Sequence, residues 1–316
     1  VSSHSSFPLV VIGAGICGLT IARKHPHLPS LIIEKSRGLG GRIATRREGE
    51  LVFDHGAQFF KQSKDQVFYW SNFLESKAVV HEWFSQSDDR FFCSSFGLTQ
   101  IAKSLALGLN ISLNEKVIAI EDLGKQVLVR TESGNSFSCE RLVITSPLPQ
   151  ALELLSASKI DYPNELQQIK YAKALVGLFE FAKPLNIQFQ EINRFGIYAV
   201  SAQKSKGLCL KEAFVVSMDP ISSEKNFELS DELNLSLIIQ SLLQVEEFSL
   251  GPKDILYSSL KKWKYSRPLN SLPSKSLNHA LLEGRLILAG DAFGGGSIQG
   301  AVRSGLSIEL APEPEK

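Results

Sequence analysis

Short apolar runs set the rhythm of the chain. Leu9-Val10-Val11-Ile12 is continuous, as in a strand buried on both faces, and Gly13 breaks it. A helical spacing follows at Ile16, Leu19, Thr20 and Arg23, then a second buried run, Leu31-Ile32-Ile33, ending at Glu34. Strand, helix and strand in this length predict a βαβ unit. Val67, Trp70, Ser71 and Leu74 predict another helix, as do Leu98, Ile101, Ala102 and Leu105. Strands are expected at 111–120, 126–131 and 141–145, with a turn at Gly134-Asn135 and a stop at Pro147 and Pro149. Beyond about residue 151 the texture changes to strands rich in β-branched and aromatic residues, at 175–181, 195–200 and 213–218. An amphipathic helix (Leu235, Ile238, Ile239, Leu242) follows, with Ser230 as its N-cap. A buried strand at 285–288, a Gly-rich turn and a helix over about 301–310 close the pattern.

Composition narrows the classes. The 316 residues suggest two domains. With 34 Lys+Arg against 33 Asp+Glu, the net charge of +1 argues against a nucleic-acid binder. No apolar run reaches the ~18 residues of a membrane-spanning helix. Cys17, Cys93, Cys139 and Cys209 form no CxxC pair, which excludes a disulfide framework, a Cys-rich zinc site and a dithiol redox centre. No metal site is expected. Residues 1–6 are polar and expected to be loose, and Val1 reads as a processed or engineered start. With no charged-then-apolar leader in view, a cytoplasmic location is expected. The 23 glycines say more, because they cluster.

Gly13-Ala14-Gly15-Ile16-Cys17-Gly18 fits GxGxxG between a strand and a helix. Gly13 allows the tight turn, Gly15 lets backbone approach a pyrophosphate, and Gly18 lets the helix pack close to the sheet. The helix N-terminus offers N–H donors to the phosphates. Glu34, followed by Lys35, stands about 20 residues after Gly13, where an acid accepts hydrogen bonds from an adenosine ribose. Cys17 occupies a variable position and reads as a small packing residue. The motif alone fits NAD as well as FAD.

A second cluster, Gly40-Gly41-Arg42-Ile43-Ala44-Thr45, resembles the GGRxxT motif of the FAD-dependent amine oxidase superfamily. Its glycines free backbone N–H groups for a pyrophosphate and Arg42 adds charge-assisted contacts. Asp54-His55-Gly56-Ala57-Gln58 resembles the stretch that runs under the flavin in that superfamily. His55 is read as packed beside the cofactor rather than as a base. Gly290-Asp291 after a buried strand resembles the distal FAD motif, with Asp291 toward the ribityl chain or phosphates. Ile298, Gln299 and Ala301 flank Gly300, where a helix is expected to begin and to stabilise negative charge on the pyrimidine edge of reduced flavin. Val117 resembles the family residue whose backbone contacts adenine, and Thr145 belongs to the short segment ending the third Rossmann-type strand.

These blocks run from Gly13 to Ala301 in the family's order. The resemblance implies an α/β fold: an FAD/NAD(P)-binding Rossmann-type (glutathione-reductase-like) domain with an inserted mixed α+β substrate domain. Residues 1–65, 98–150 and 280–316 are assigned to the FAD domain, and 66–97 and 151–279 to the substrate domain. The short layout looks most like the renalase branch, which implies hydride transfer from a dihydronicotinamide-type substrate to flavin N5, with O2 reoxidising the flavin to give H2O2. The strand at 175–181 carries Val176 and Gly177 where monoamine oxidase-like enzymes carry a lysine, and Lys173 reads as a solvated edge residue. Alternation puts Trp263 and Tyr265 on one face of an extended segment, either as substrate-side aromatics or as core packing. Arg303 is read as structural. The other readings are an amine oxidase or desaturase on a different small substrate, a binding protein like the GDP-dissociation inhibitors, and a plain NAD-dependent dehydrogenase. The GGR and Gly-Asp blocks disfavour the last two.

Overall fold

The computed structural model describes residues 4–63, 69–270 and 278–310. Val67, the first residue of one expected helix, lies outside them, as do residues 1–3 and 311–316 of the two polar ends. The chain divides into two compact units: Val1–Gly41, Ala102–Lys170 and Arg267–Lys316 form one, Arg42–Ile101 and Tyr171–Ser266 the other.

The first unit is built on a mixed sheet. Its strand order is Asn278–Leu281, Leu286–Ala289, Ser136–Ile144, His4–Ile12, Ser30–Ile33 and Ile111–Ser112. All neighbours are parallel except the first pair. Leu9, Val10 and Val11 are fully buried at its centre, which is why their run shows no polar alternation. Val127–Thr131 and Val117–Asp122 add an antiparallel extension along Ser136–Ile144.

The expected strand at 111–120 is thus two strands. Asn114 breaks it in the left-handed region, at φ +56°, a conformation asparagine tolerates. Its N–H donates to the Ser36 carbonyl (3.1 Å), and that of Glu115 to the Glu34 carbonyl (2.9 Å). The last helix also differs. It runs Ile298–Leu306, because Ser297 accepts from Gly300 N (3.0 Å) and caps it there. Residues 151–170, expected with the substrate domain, join the first unit through the helix Leu148–Ala157. That helix buries Ala151, Leu152 and Leu155, and Ser158 beyond it accepts from Ile120 N (2.9 Å).

In the second unit a five-stranded sheet runs Phe189–Arg194, Ile197–Ala202, Ala213–Met218, Tyr171–Phe181, Ile255–Pro268. The helix Asp231–Leu243 packs Ile238 and Leu242 against Leu175, Phe179 and Phe214. A separate cluster joins Val176, Leu178, Ala213 and Val215 to Leu51 and Phe53 of the hairpin Thr45–Glu48/Leu51–Asp54. That burial draws residues 42–65, expected with the cofactor domain, into this unit. Among the described residues no helix is long and apolar enough to cross a membrane.

Ser230 caps Asp231–Leu243 as its spacing predicts, accepting from Leu233 N at 3.3 Å. Ser230→Ala is expected to cost about 1 kcal/mol of stability. The check is a lower urea midpoint at unchanged denaturant slope.

Candidate cofactor site

In the first unit, four separated stretches meet at one turn. Gly13 leaves the strand His4–Ile12 at φ +106°, and a Cβ there would stand 2.7 Å from Thr145 Oγ1. Thr145 Oγ1 donates to the Ile12 carbonyl (2.9 Å). A Cβ on Gly18 would lie 2.1 Å from the Gly13 carbonyl oxygen, so the helix Ile16–Lys24 starts this close to the strand only with glycine there. Gly40 N donates to the Ala14 carbonyl (2.9 Å), and Gly15 and Gly40 form a parallel bridge. Gly290, at φ +138°, approaches the Thr145 carbonyl and donates its N–H to Ser304 Oγ (2.8 Å).

This turn fits a diphosphate. A Cβ at Gly15 would meet no protein atom within 4 Å, so that glycine spares room for a ligand rather than for the fold. The helix opens without a side-chain cap and without an acid in its first turn, which leaves its positive end for an anion. Ile16 and Cys17 are buried in that first turn. Glu34 is buried, and its carboxylate accepts from Ala14 N (2.9 Å) and Ser36 N (2.8 Å). Each oxygen keeps a further lone pair, enough for a ribose diol. Lys35 points elsewhere, donating to Gln150 Oε1 at 3.1 Å. Val117 begins its strand opposite Thr131, just after the Asn114-Glu115 backbone that is bonded to Ser36 and Glu34, beyond the end of Ser30–Ile33.

The C-terminal cluster belongs to the same unit. Asp291 is buried, and its carbonyl accepts from Gly295 N (3.1 Å) and Gly296 N (3.0 Å). Ile298, Gln299 and Ala301 lie in the first turn of Ile298–Leu306 rather than before it. That helix packs along Ile16–Lys24, where a Cβ on Gly305 would lie 2.9 Å from the Cys17 carbonyl. Arg303 donates to the Gly294 carbonyl (2.8 Å), a structural contact.

In the second unit the turn 54–58 is held on every side. His55 N donates to Ala44 O (3.1 Å) and Ala57 N to Arg42 O (2.9 Å). A Cβ on Gly56 would lie 1.9 Å from that Arg42 carbonyl oxygen. The Arg42 guanidinium, expected at a pyrophosphate, donates to Ser266 O (3.1 Å) and lies 5.8 Å over the Tyr171 ring. Tyr171 meets Tyr265 edge-on at 6.0 Å. Trp263 stacks on His55 at 5.5 Å and donates Nε1–H to the His55 carbonyl (2.8 Å). Lys261 also lies over the indole, 5.0 Å from its centre. The Trp263 ring thus touches two of this chain's own groups while the residue stays partly exposed. Lys173 is paired with Glu224 (3.1 Å) and Glu228 (3.3 Å) rather than solvated.

Lys206 and Gln203 carry no signal of a role in the sequence alone. Both are fully buried. Lys206 Nζ lies 2.9 Å from Gln58 Oε1, 3.4 Å from Asp54 Oδ2 and 4.9 Å from the Trp83 ring. Burial lowers the pKa of this ammonium, and Asp54 works in the opposite direction. The Cys93 thiol, within electrostatic reach of both, is pushed up to about 12 by burial and stays neutral. The stretch Gln203-Lys204-Ser205-Lys206-Gly207 reads as a polar surface turn, so only its tertiary setting reveals the pair.

His55 is buried, and its Nδ1 has no hydrogen-bond partner among the described residues. Burial, helped by Lys261 and Arg46, lowers its pKa to about 4, so the imidazole is neutral near pH 7.

The chain matches two family models: flavin containing amine oxidoreductase over residues 67–308, and NAD(P)-binding Rossmann-like domain over 11–75. It is 22% identical to mouse (Mus musculus) renalase over 334 aligned residues, covering 95% of this chain and 97% of renalase. A solved structure assigned as a protoporphyrinogen oxidase from Exiguobacterium sp. 255-15 shares the fold at a TM-score of 0.74 and 16% identity, covering 96% of this chain and 98% of that one. Putrescine oxidase with bound putrescine gives 0.65 and 14%, with the same coverage of both chains.

An unfolded imidazole takes its proton near pH 6.5, whereas folded His55 takes it near pH 4. Acid therefore favours unfolding here: the His55 contribution is complete above pH 6.5 and is lost as pH falls toward 4. Comparing unfolding free energies of wild type and His55→Phe at pH 7 and pH 4, the wild type is expected to lose on the order of 3 kcal/mol more.

Proposed function

The chain belongs to the flavin-containing amine oxidoreductase family and is an FAD-dependent oxidoreductase; we propose that its substrate is a dihydronicotinamide-type compound and its electron acceptor O2. The observation that carries the cofactor assignment is the convergence of Gly15, Gly40, Thr145 and Gly290 on one uncapped helix end beside Glu34. In this reading Gly13, Gly15, Ile16, Cys17 and Gly18, with Gly40 and Gly41, hold the diphosphate. Glu34 takes the ribose and Val117 the adenine. Asp291 and the turn of Ile298, Gln299 and Ala301 hold the flavin half, and His55, Gly56, Ala57 and Gln58 are the stretch that the resemblance assigns to its ring.

The chemistry supplied by FAD, when bound, is two-electron: hydride acceptance at N5 and reoxidation by O2. The dihydro substrate loses a hydride and becomes an aromatic pyridinium, while O2 with one solvent proton leaves as H2O2. Such a transfer calls on the protein for orientation and exclusion of water rather than for a base. His55, neutral near pH 7 with a pKa of about 4, suits that demand, since it would be a poor base there. The middle of Tyr171–Phe181 carries Val176 and Gly177, which are buried and have no ionisable side chain. Similarity to renalase supports the same substrate class.

Purified protein is expected to be yellow and to release FAD on denaturation. Mixed anaerobically with borohydride-derived isomers of NADH, its flavin absorbance should bleach, while simple amines leave it unchanged. Bleaching by amines alone would replace this reading with amine oxidation. Gly15→Asp sets a carboxylate on the diphosphate side of the turn and is expected to abolish FAD retention at little cost in folding, read as flavin content per mole of soluble protein.

A further inference from the structure

A buried ammonium in the second unit has no part in the chemistry just described. Lys206 is fully buried, as is Asp54 opposite it. Asp54 Oδ1 is already engaged, accepting from Thr45 Oγ1 (2.6 Å) and Leu98 N (2.9 Å), and Oδ2 faces Lys206 at 3.4 Å. The far end of the turn 54–58 meets the same ammonium, through Gln58 Oε1 at 2.9 Å. Gln203 duplicates this bridge. Its Oε1 accepts from Asp54 N (2.9 Å) and its Nε2 donates to Gln58 Oε1 (3.1 Å). The Gln58 amide then closes the turn on itself, donating to the Asp54 and Gly56 carbonyls.

We propose that Lys206 is a positioning residue: by joining the Asp54 carboxylate to the Gln58 amide oxygen, it fixes the conformation of the turn 54–58, the stretch that the resemblance assigns to the flavin. The proposal rests on the reading that this turn faces the flavin. Stability alone is a weak reason for such a pair, because neutral side chains of like volume commonly replace a buried ion pair without loss. What a buried ammonium supplies is geometry. It must be surrounded by acceptors, and here both acceptors are the two ends of one turn.

The test compares FAD-loaded wild type, Lys206→Met, Asp54→Asn/Lys206→Met and His55→Phe. Lys206→Met leaves a buried carboxylate unpaired, so its melting temperature should fall. Amide hydrogen exchange in peptides covering 54–58 should rise at least tenfold, and the visible spectrum and reduction potential of the flavin should shift. The double variant removes both charges. It should regain most of the melting temperature while keeping the fast exchange, the shifted spectrum and a rate of flavin reduction at least tenfold below wild type. Recovery of spectrum and rate together with melting temperature would make the pair merely structural and overturn the proposal, as would unchanged exchange in both variants. If Lys206→Met does not fold, the double variant carries the comparison. His55→Phe checks the underlying reading. If it leaves the flavin spectrum and potential unaltered, the turn does not face the flavin and both readings fall. If it alters them while the Lys206 variants do not, only the positioning role falls.

Discussion

At Gly18 a methyl group would stand 2.1 Å from a carbonyl oxygen, at Gly56 1.9 Å from another, and at Gly294 1.9 Å from a third. Each contact brings a bare Cα against main-chain oxygen, and each lies in a stretch that the flavin reading assigns to the cofactor. The constraint explains the order of events along the chain. A strand must become a helix within a few residues, with the helix axis close enough to the sheet for its positive end to face one point. Nothing larger than hydrogen satisfies that geometry. The fully buried strand before it and the uncapped helix after it are then what remains possible for Leu9 to Leu19.

The two units satisfy their buried polar groups by different means. In the first, the turn is tied by backbone bonds, Gly40 N to Ala14 O and Gly13 N to Ile33 O, together with the side chains of Glu34, Thr145 and Ser304. In the second, the turn 54–58 depends on side chains drawn from distant stretches, namely Thr45, Gln203, Lys206 and Trp263. Backbone partnering within a short loop tolerates variation at the intervening residues. Side-chain partnering ties the conformation to the identity of each partner.

That difference also decides how much could be read in advance. The βαβ unit, Gly13, Gly15, Gly18 and Glu34 are legible because the chemistry is contiguous and the spacing follows from strand and helix geometry. The N-cap at Ser230 is legible for the same reason. The break at Asn114 escapes periodicity, since a single left-handed residue interrupts an otherwise apolar alternation. The helix start at Ile298 was hidden by the glycines before it, where Ser297 was the cue. Alternation puts Trp263 and Tyr265 on one face, but cannot say that His55 and Lys261 lie against the indole. Lys206 is the extreme case: a lysine in a polar run carries no sign of burial until the fold closes around it.

The hydrogen bond from Trp263 to the His55 carbonyl spans 208 residues, and the contacts of Asp54 with Gln203 and Lys206 span 149 and 152. Loops of that length must close before the turn has its partners, and their entropy is lost before the contacts return it. During synthesis, the ribosome releases the turn long before Gln203, Lys206 and Trp263 exist. Through 152 residues of further synthesis Asp54 is a carboxylate with its destined cation still unmade. The hydrogen bonds of the turn are therefore complete only once the strand Ile255–Pro268 is made.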